Sequence, residues 1–108
     1  FLLCPTLLHS QSIDNQYKIL DSLIETKSMV NALSVIKTLE TTLAKDSLKA
    51  RYWIRHAKAS YAIYRQENAK NSIKKAVRIE PKNADVYFIK GELYNQMDDL
   101  QGSLAAFD

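Results

Sequence analysis

The sequence predicts an all-α fold of stacked helix pairs, a helix-pair solenoid, and three observations lead there. First, two stretches match at an offset of 34 residues: Trp53 recurs as Tyr87, Ala57 as Gly91, Ala69 as Ser103, Ile73 as Phe107 and Ala50 as Ala84. Each pair keeps its bulk, large against large and small against small, at a period that marks helical repeats. Second, apolar residues recur at helical spacing along most of the chain, while its 108 residues include only two glycines and two prolines. That is little turn chemistry for a sheet and suits long helices. Third, Pro81 closes the better-defined stretch, where a proline ends the helical hydrogen-bond ladder. Units of this kind cannot bury their apolar faces alone, so they stack and leave an extended concave surface.

The first eleven residues stand apart. Phe1-Leu2-Leu3-Cys4-Pro5-Thr6-Leu7-Leu8 is apolar and too short to span a bilayer. It reads as the rear of a secretory signal cut after Ser10, which implies export to a bacterial periplasm or the extracellular space. The other reading is an apolar strap packed on the fold, which leaves a cytoplasmic location open. Residues 12–108 are the helical domain. Asp14 can cap a first helix, whose Ile19, Leu20, Leu23 and Ile24 share a face. Ser28 is placed to cap a second, striped by Val30, Leu33, Ile36, Leu39 and Leu43. The turn at Thr26-Lys27-Ser28 is short enough to make the two helices antiparallel neighbours. Asp46 or Ser47 caps a third helix from Leu48 to Tyr64, with Tyr52, Trp53, Ala57 and Tyr61 as its larger or close-packing members. Arg65 to Asn68 turns the chain into a fourth helix, Ala69 to Arg78, which presents Ile73, Ala76 and Val77. Asn83 caps a fifth over Ala84 to Gln96, Asp98-Asp99 makes a turn, and Leu100 to Phe107 begins a sixth. The units span 13–46, 50–83 and, incomplete, 84–108, about two and a half antiparallel pairs.

This pattern resembles the tetratricopeptide repeat. The middle unit supplies Trp53, Ala57, Ala69, Ile73, Ala76 and Pro81 at the family's positions, departing at Ser60, where an aromatic is usual and Tyr61 stands beside it. The third unit supplies Tyr87, Gly91, Tyr94, Ser103 and Phe107. The first is degenerate: Leu20, Leu23, Ala32, Ile36 and Leu39 fill its slots, with Leu20 overfilling one meant for a small residue. The resemblance implies a right-handed solenoid whose first helices line a concave, protein-binding face. Small residues such as Ala57 and Gly91 are expected at close helix contacts, where a large side chain would overpack. Trp53 and Tyr87 are expected between layers.

On that face Arg51, Arg55 and Lys58 share one side of a helix, at i, i+4 and i+7. Tyr17, Lys18 and Asp21 flank them on one side and Phe88, Glu92 and Asn95 on the other, with Ile54 and Tyr61 at the border. The expected peptide site therefore comprises Arg51, Arg55, Lys58, Tyr17, Tyr61, Phe88 and Glu92. A basic centre with an aromatic, mixed-charge edge suits an extended or helical peptide bearing a carboxylate. Reversing both Arg51 and Arg55 to glutamate is expected to abolish partner capture and leave helicity intact. The bland counterpart is a basic face paired with Asp21, Glu92 or Asp85 across the groove. Some members of the family clamp the terminal carboxylate of heat-shock chaperones with lysines and asparagines. Arg51 and Arg55 match one part of that set, whereas Asp85, Phe88 and Ile89 do not match the rest, so that clamp is not expected.

Other chemistries find little support. His9 and His56 are the only histidines and have no metal-ligand spacing. No acid or nucleophile is visible beside His56, which is assigned to packing. Gly91 and Gly102 are isolated, so no phosphate loop is written. Cys4 has no internal partner. Neither enzymatic activity nor a cofactor is expected. The net charge of +3 is mild, and the run Lys70, Lys74, Lys75 and Arg78 lacks the interleaved aromatics of a stacking platform for nucleic acid. Two other readings remain beside the interaction module: a spacer or oligomerisation segment of a longer exported repeat protein, and a basic helical protein associated with nucleic acid.

Overall fold

The structure is a computed structural model that describes the backbone of residues 12–106 and the side chains of residues 12–98. The segment read as a signal remnant, the Ser103 side chain and Phe107 lie outside the described residues. Five α-helices follow in order: α1 (Ile13–Glu25), α2 (Met29–Glu40), α3 (Ala50–Ala62), α4 (Gln66–Ile79) and α5 (Ala84–Ala106). A 3-10 helix, Ala44–Leu48, links α2 to α3. No strand occurs among the described residues, so the chain is all-α there. Helix α3 is the hub, in contact with α1, α2, α4 and α5.

The helix ends show where local chemistry decided. The Ser12 hydroxyl, not Asp14, caps α1 by accepting from the Asn15 N–H at 3.2 Å, and Asp14 sits in the first turn, where the helix dipole favours an acid. Ser28 caps α2 by accepting from the Asn31 N–H. Neither Asp46 nor Ser47 caps α3: both belong to the 3-10 turn, and Lys49 holds the cap position with no side-chain bond. Helix α4 starts at Gln66, three residues early, because Tyr64 adopts a left-handed φ of 63° and compresses the turn. Asn83 accepts from the Asp85 N–H at 2.9 Å beyond Pro81. The turn expected at Asp98-Asp99 does not form, and α5 continues through it. Two aspartates are only modest helix formers but do not by themselves redirect a backbone, and the helix runs on through Gly102 as well.

Two apolar clusters meet at α3. One joins Leu20, Val35, Leu39 and Leu43 to Tyr52 and Ala59; the other joins Ala57, Ala69, Ile73 and Ala76 to Val86, Leu93 and Met97. Trp53 packs against both, its ring 4.8 Å from that of Tyr52 in an edge-on arrangement. Ala57 and Ala69 are fully buried, so the small side chains stand at close helix contacts. The apolar stripe of α2 is Ala32, Val35, Ile36 and Leu39, whereas Val30 and Leu33 face outward. Apolar residues surround the first turns of α2, so its periodicity admitted two registers and packing chose between them.

The last helix departs from expectation on one face. Tyr87 is 46% exposed, and a β-carbon built on Gly91 would meet nothing within 4 Å. Gly91 is therefore not a tight contact among the described residues, and a larger residue there does not overpack. Gly91→Ala is expected to raise stability by about 1 kcal/mol through helix propensity alone, read as a higher urea midpoint. A loss on that substitution would show that a close neighbour does cover Gly91.

Candidate functional site

The basic residues of α3 divide into two groups. Arg51 and Arg55 are bound within the fold, their guanidinium groups 4.9 and 5.0 Å from the centre of the Tyr17 ring. The Tyr17 hydroxyl donates to Asp46. Arg51 reaches Asp46 through Nε at 2.8 Å and Nη2 at 3.2 Å, and Asp14 through Nη1 at 3.3 Å. Arg55 holds both oxygens of Asp21, at 2.9 and 3.0 Å, in the fork geometry that planar guanidinium groups favour. The cluster thus ties α1 and the 3-10 linker to α3.

The same contacts move the titrating groups. Burial alone would raise Asp46, yet hydrogen bonds from Arg51 and Tyr17, with the charges of Arg51 and Lys49, hold its carboxyl below the ordinary range. Burial first, then donation to Asp46, pushes the Tyr17 phenol well above its ordinary value.

These positions change the expected site. Tyr17 is only 4% exposed, so its ring belongs to the core and offers no contact area. Asp21 does pair across to α3, as the bland counterpart has it, while Glu92 and Asp85 form no such pair among the described residues. Reversing Arg51 and Arg55 would set glutamates against Asp14, Asp21 and Asp46, so the fold itself would suffer first. That double variant cannot separate binding from folding.

Lys58, Tyr61 and Glu92 lie elsewhere, in a groove of about 540 Å³. Ile24 and Lys27 enter it from the end of α1, and Lys58, Tyr61, Ala62 and Tyr64 from the end of α3. Ile89, Glu92, Leu93 and Gln96 close it from α5. Phe88, 68% exposed, sits beyond the groove on a shallower surface shared with Tyr87, Gly91 and Tyr94. Of the seven expected residues, three therefore converge here. Lys27 and Tyr64 escaped the sequence reading because both follow helix ends in left-handed backbone, at φ 57° and 63°. Glycine or asparagine is the usual mark of such positions, and neither residue carries it.

His56 also proves better connected than its sequence suggests. Its Nε2 lies 3.0 Å from Glu40, and its Nδ1 lies 3.1 Å from the Ser72 hydroxyl and 3.4 Å from that of Ser60. An acid and two hydroxyls do adjoin it, contrary to expectation, brought together from α2, α3 and α4. Ser60 and Ser72 are 0% and 3% exposed. The network therefore joins three helices at hydroxyls that solvent does not reach.

No group of three or more His, Cys, Asp and Glu side chains among the described residues is placed to hold a metal ion, and no helix among them is long and apolar enough to cross a membrane. A scan against protein-family models finds no match, and searches of curated proteins and of solved structures find none either.

Proposed function

We propose that this chain is a tetratricopeptide-like array of helix pairs whose α1–α3–α5 face binds a segment of another protein. One observation carries the reading: a single groove is lined by three alternate helices, α1, α3 and α5. Stacked helix pairs present their first helices in just this way on a concave side. The contacts of α3 with both α1 and α5, and Trp53 wedged between two clusters beside the small Ala57, support the same stacking. A concave site with an apolar floor and a few polar groups is also the usual form of a binding cleft. Export, as read from Phe1 to Ser10, would place the partner outside the cytoplasm.

The spacer or oligomerisation reading draws on a different observation, the exposed Tyr87 and Phe88 beside the uncovered Gly91. Photo-crosslinking separates the two. A benzophenone side chain at Tyr64 is expected to give discrete adducts with a partner protein, while one at Phe88 gives none. Adducts from Phe88 alone, with the chain itself, would replace the groove reading by the spacer.

A further inference from the structure

We infer that the groove takes a protein segment in which one apolar side chain is flanked by aspartate or glutamate, and that Lys27 and Tyr64 are contact residues held in costly backbone geometry to receive it. The inference rests on the groove reading above and specifies its ligand.

The lining states the chemistry. Ile24, Ala62, Ile89 and Leu93 supply apolar surface from three helices, which suits one aliphatic or aromatic side chain. The rim carries Lys27 and Lys58 against a single acid, Glu92. Neither lysine forms an ion pair among the described residues, whereas Arg51 and Arg55 are committed to Asp14, Asp46 and Asp21. The groove rim therefore carries two positive charges that no acid of the described residues neutralises. A segment with carboxylates beside its apolar anchor matches it, through charge-assisted bonds.

The backbone adds a second, independent observation. Lys27 and Tyr64 are the non-glycine residues with positive φ among those described, and both line this one cavity. Each follows the C-cap of a helix, Thr26 after α1 and Ile63 after α3. Glycine fills that position at least cost, because a β-carbon crowds the left-handed region. Strain of this kind gathers where side-chain placement serves binding. Lysine has one rival purpose there, to offset the partial negative charge at the carbonyl end of α1. The two purposes predict opposite results when glycine replaces it.

The test uses the full chain, labelled with nitrogen-15 and titrated by NMR with three synthetic peptides. One places leucine between aspartates, the second replaces the aspartates by asparagine, and the third by lysine. The aspartate peptide is expected to shift the amides of Lys27, Lys58 and Tyr64 and to bind roughly tenfold more tightly than the asparagine peptide. The lysine peptide should not bind. Lys27→Gly and Tyr64→Gly should each raise the thermal midpoint by a few degrees and weaken the aspartate peptide several-fold. Because stability and affinity move in opposite directions, misfolding cannot imitate the result. Equal binding of the aspartate and asparagine peptides overturns the acidic ligand, and so does no binding by any peptide; Tyr64 crosslinks to a partner would keep the groove reading in either case. Higher midpoints with unchanged affinity overturn the role of the two strained residues, and lower midpoints assign Lys27 to the helix end.

Discussion

Trp53→Ala is expected to lower the unfolding free energy by about 3 kcal/mol, the low end of the range for deleting a large aromatic, because the ring is half-buried. Trp53 is in contact with both apolar clusters, so its loss opens space on two sides of α3 at once. Its indole N–H donates to the Ser47 carbonyl at 2.7 Å, which holds the 3-10 linker against α3. The ammonium of Lys75 lies over the face of the ring, 4.2 Å from its centre. Trp53→Phe should cost less than the alanine change, since it keeps most of the apolar surface but loses the bond to Ser47. Trp53 is the single tryptophan, so urea unfolding of both variants must be followed by circular dichroism. A cost below that of an ordinary surface substitution would mean that the two clusters are not joined through this ring.

Asp46→Ala ranks second, at about 2 kcal/mol near neutral pH. The side chain is 12% exposed, and its removal leaves the Tyr17 hydroxyl and the Arg51 guanidinium without their shared acceptor. The cost should depend on pH, with the sign set by the shift. Asp46 has a folded-state pKa below its ordinary value of 3.8. Its contribution is therefore fully present above that value and is lost as pH falls through the lower, folded one. Wild type and Asp46→Ala should converge in acid. Tyr17 gives the opposite arm. Its folded pKa is raised above the ordinary 10.0, so its contribution is present below pH 10.0 and declines as pH climbs beyond it. Tyr17→Phe should lack that alkaline decline. Urea midpoints across pH for the three proteins check both arms, and parallel curves in acid would show that Asp46 does not carry the linker.

The sequence made several structural features legible, for identifiable reasons. Ser28 and Asn83 announce helix starts because short polar side chains satisfy free N–H groups locally. Ala57 and Ala69 announce close contacts because nothing larger would fit there. The apolar register of α2 was not legible, since Val30 and Leu33 are as apolar as Ala32 and Val35 and only neighbouring helices distinguish them. Nor was the fate of the basic residues. Arg51, Arg55 and Lys58 share one face of one helix, yet Asp14, Asp21 and Asp46 claim the first two from distant positions. The turn expected at Asp98-Asp99 failed because two aspartates permit a turn without requiring one.

By itself the sequence determined the all-α fold of the described residues, the approximate limits of most of their helices and the close contacts at Ala57 and Ala69, though not the open side of Gly91. These depend on periodicity and capping, which act over a few neighbouring residues. Only the tertiary structure decided which charges remain free, that His56 has an acid and two hydroxyls around it, and that Lys27, Lys58 and Tyr64 border one groove. Each of those depends on residues far apart in the chain coming within a few ångströms, and no local pattern encodes such distances.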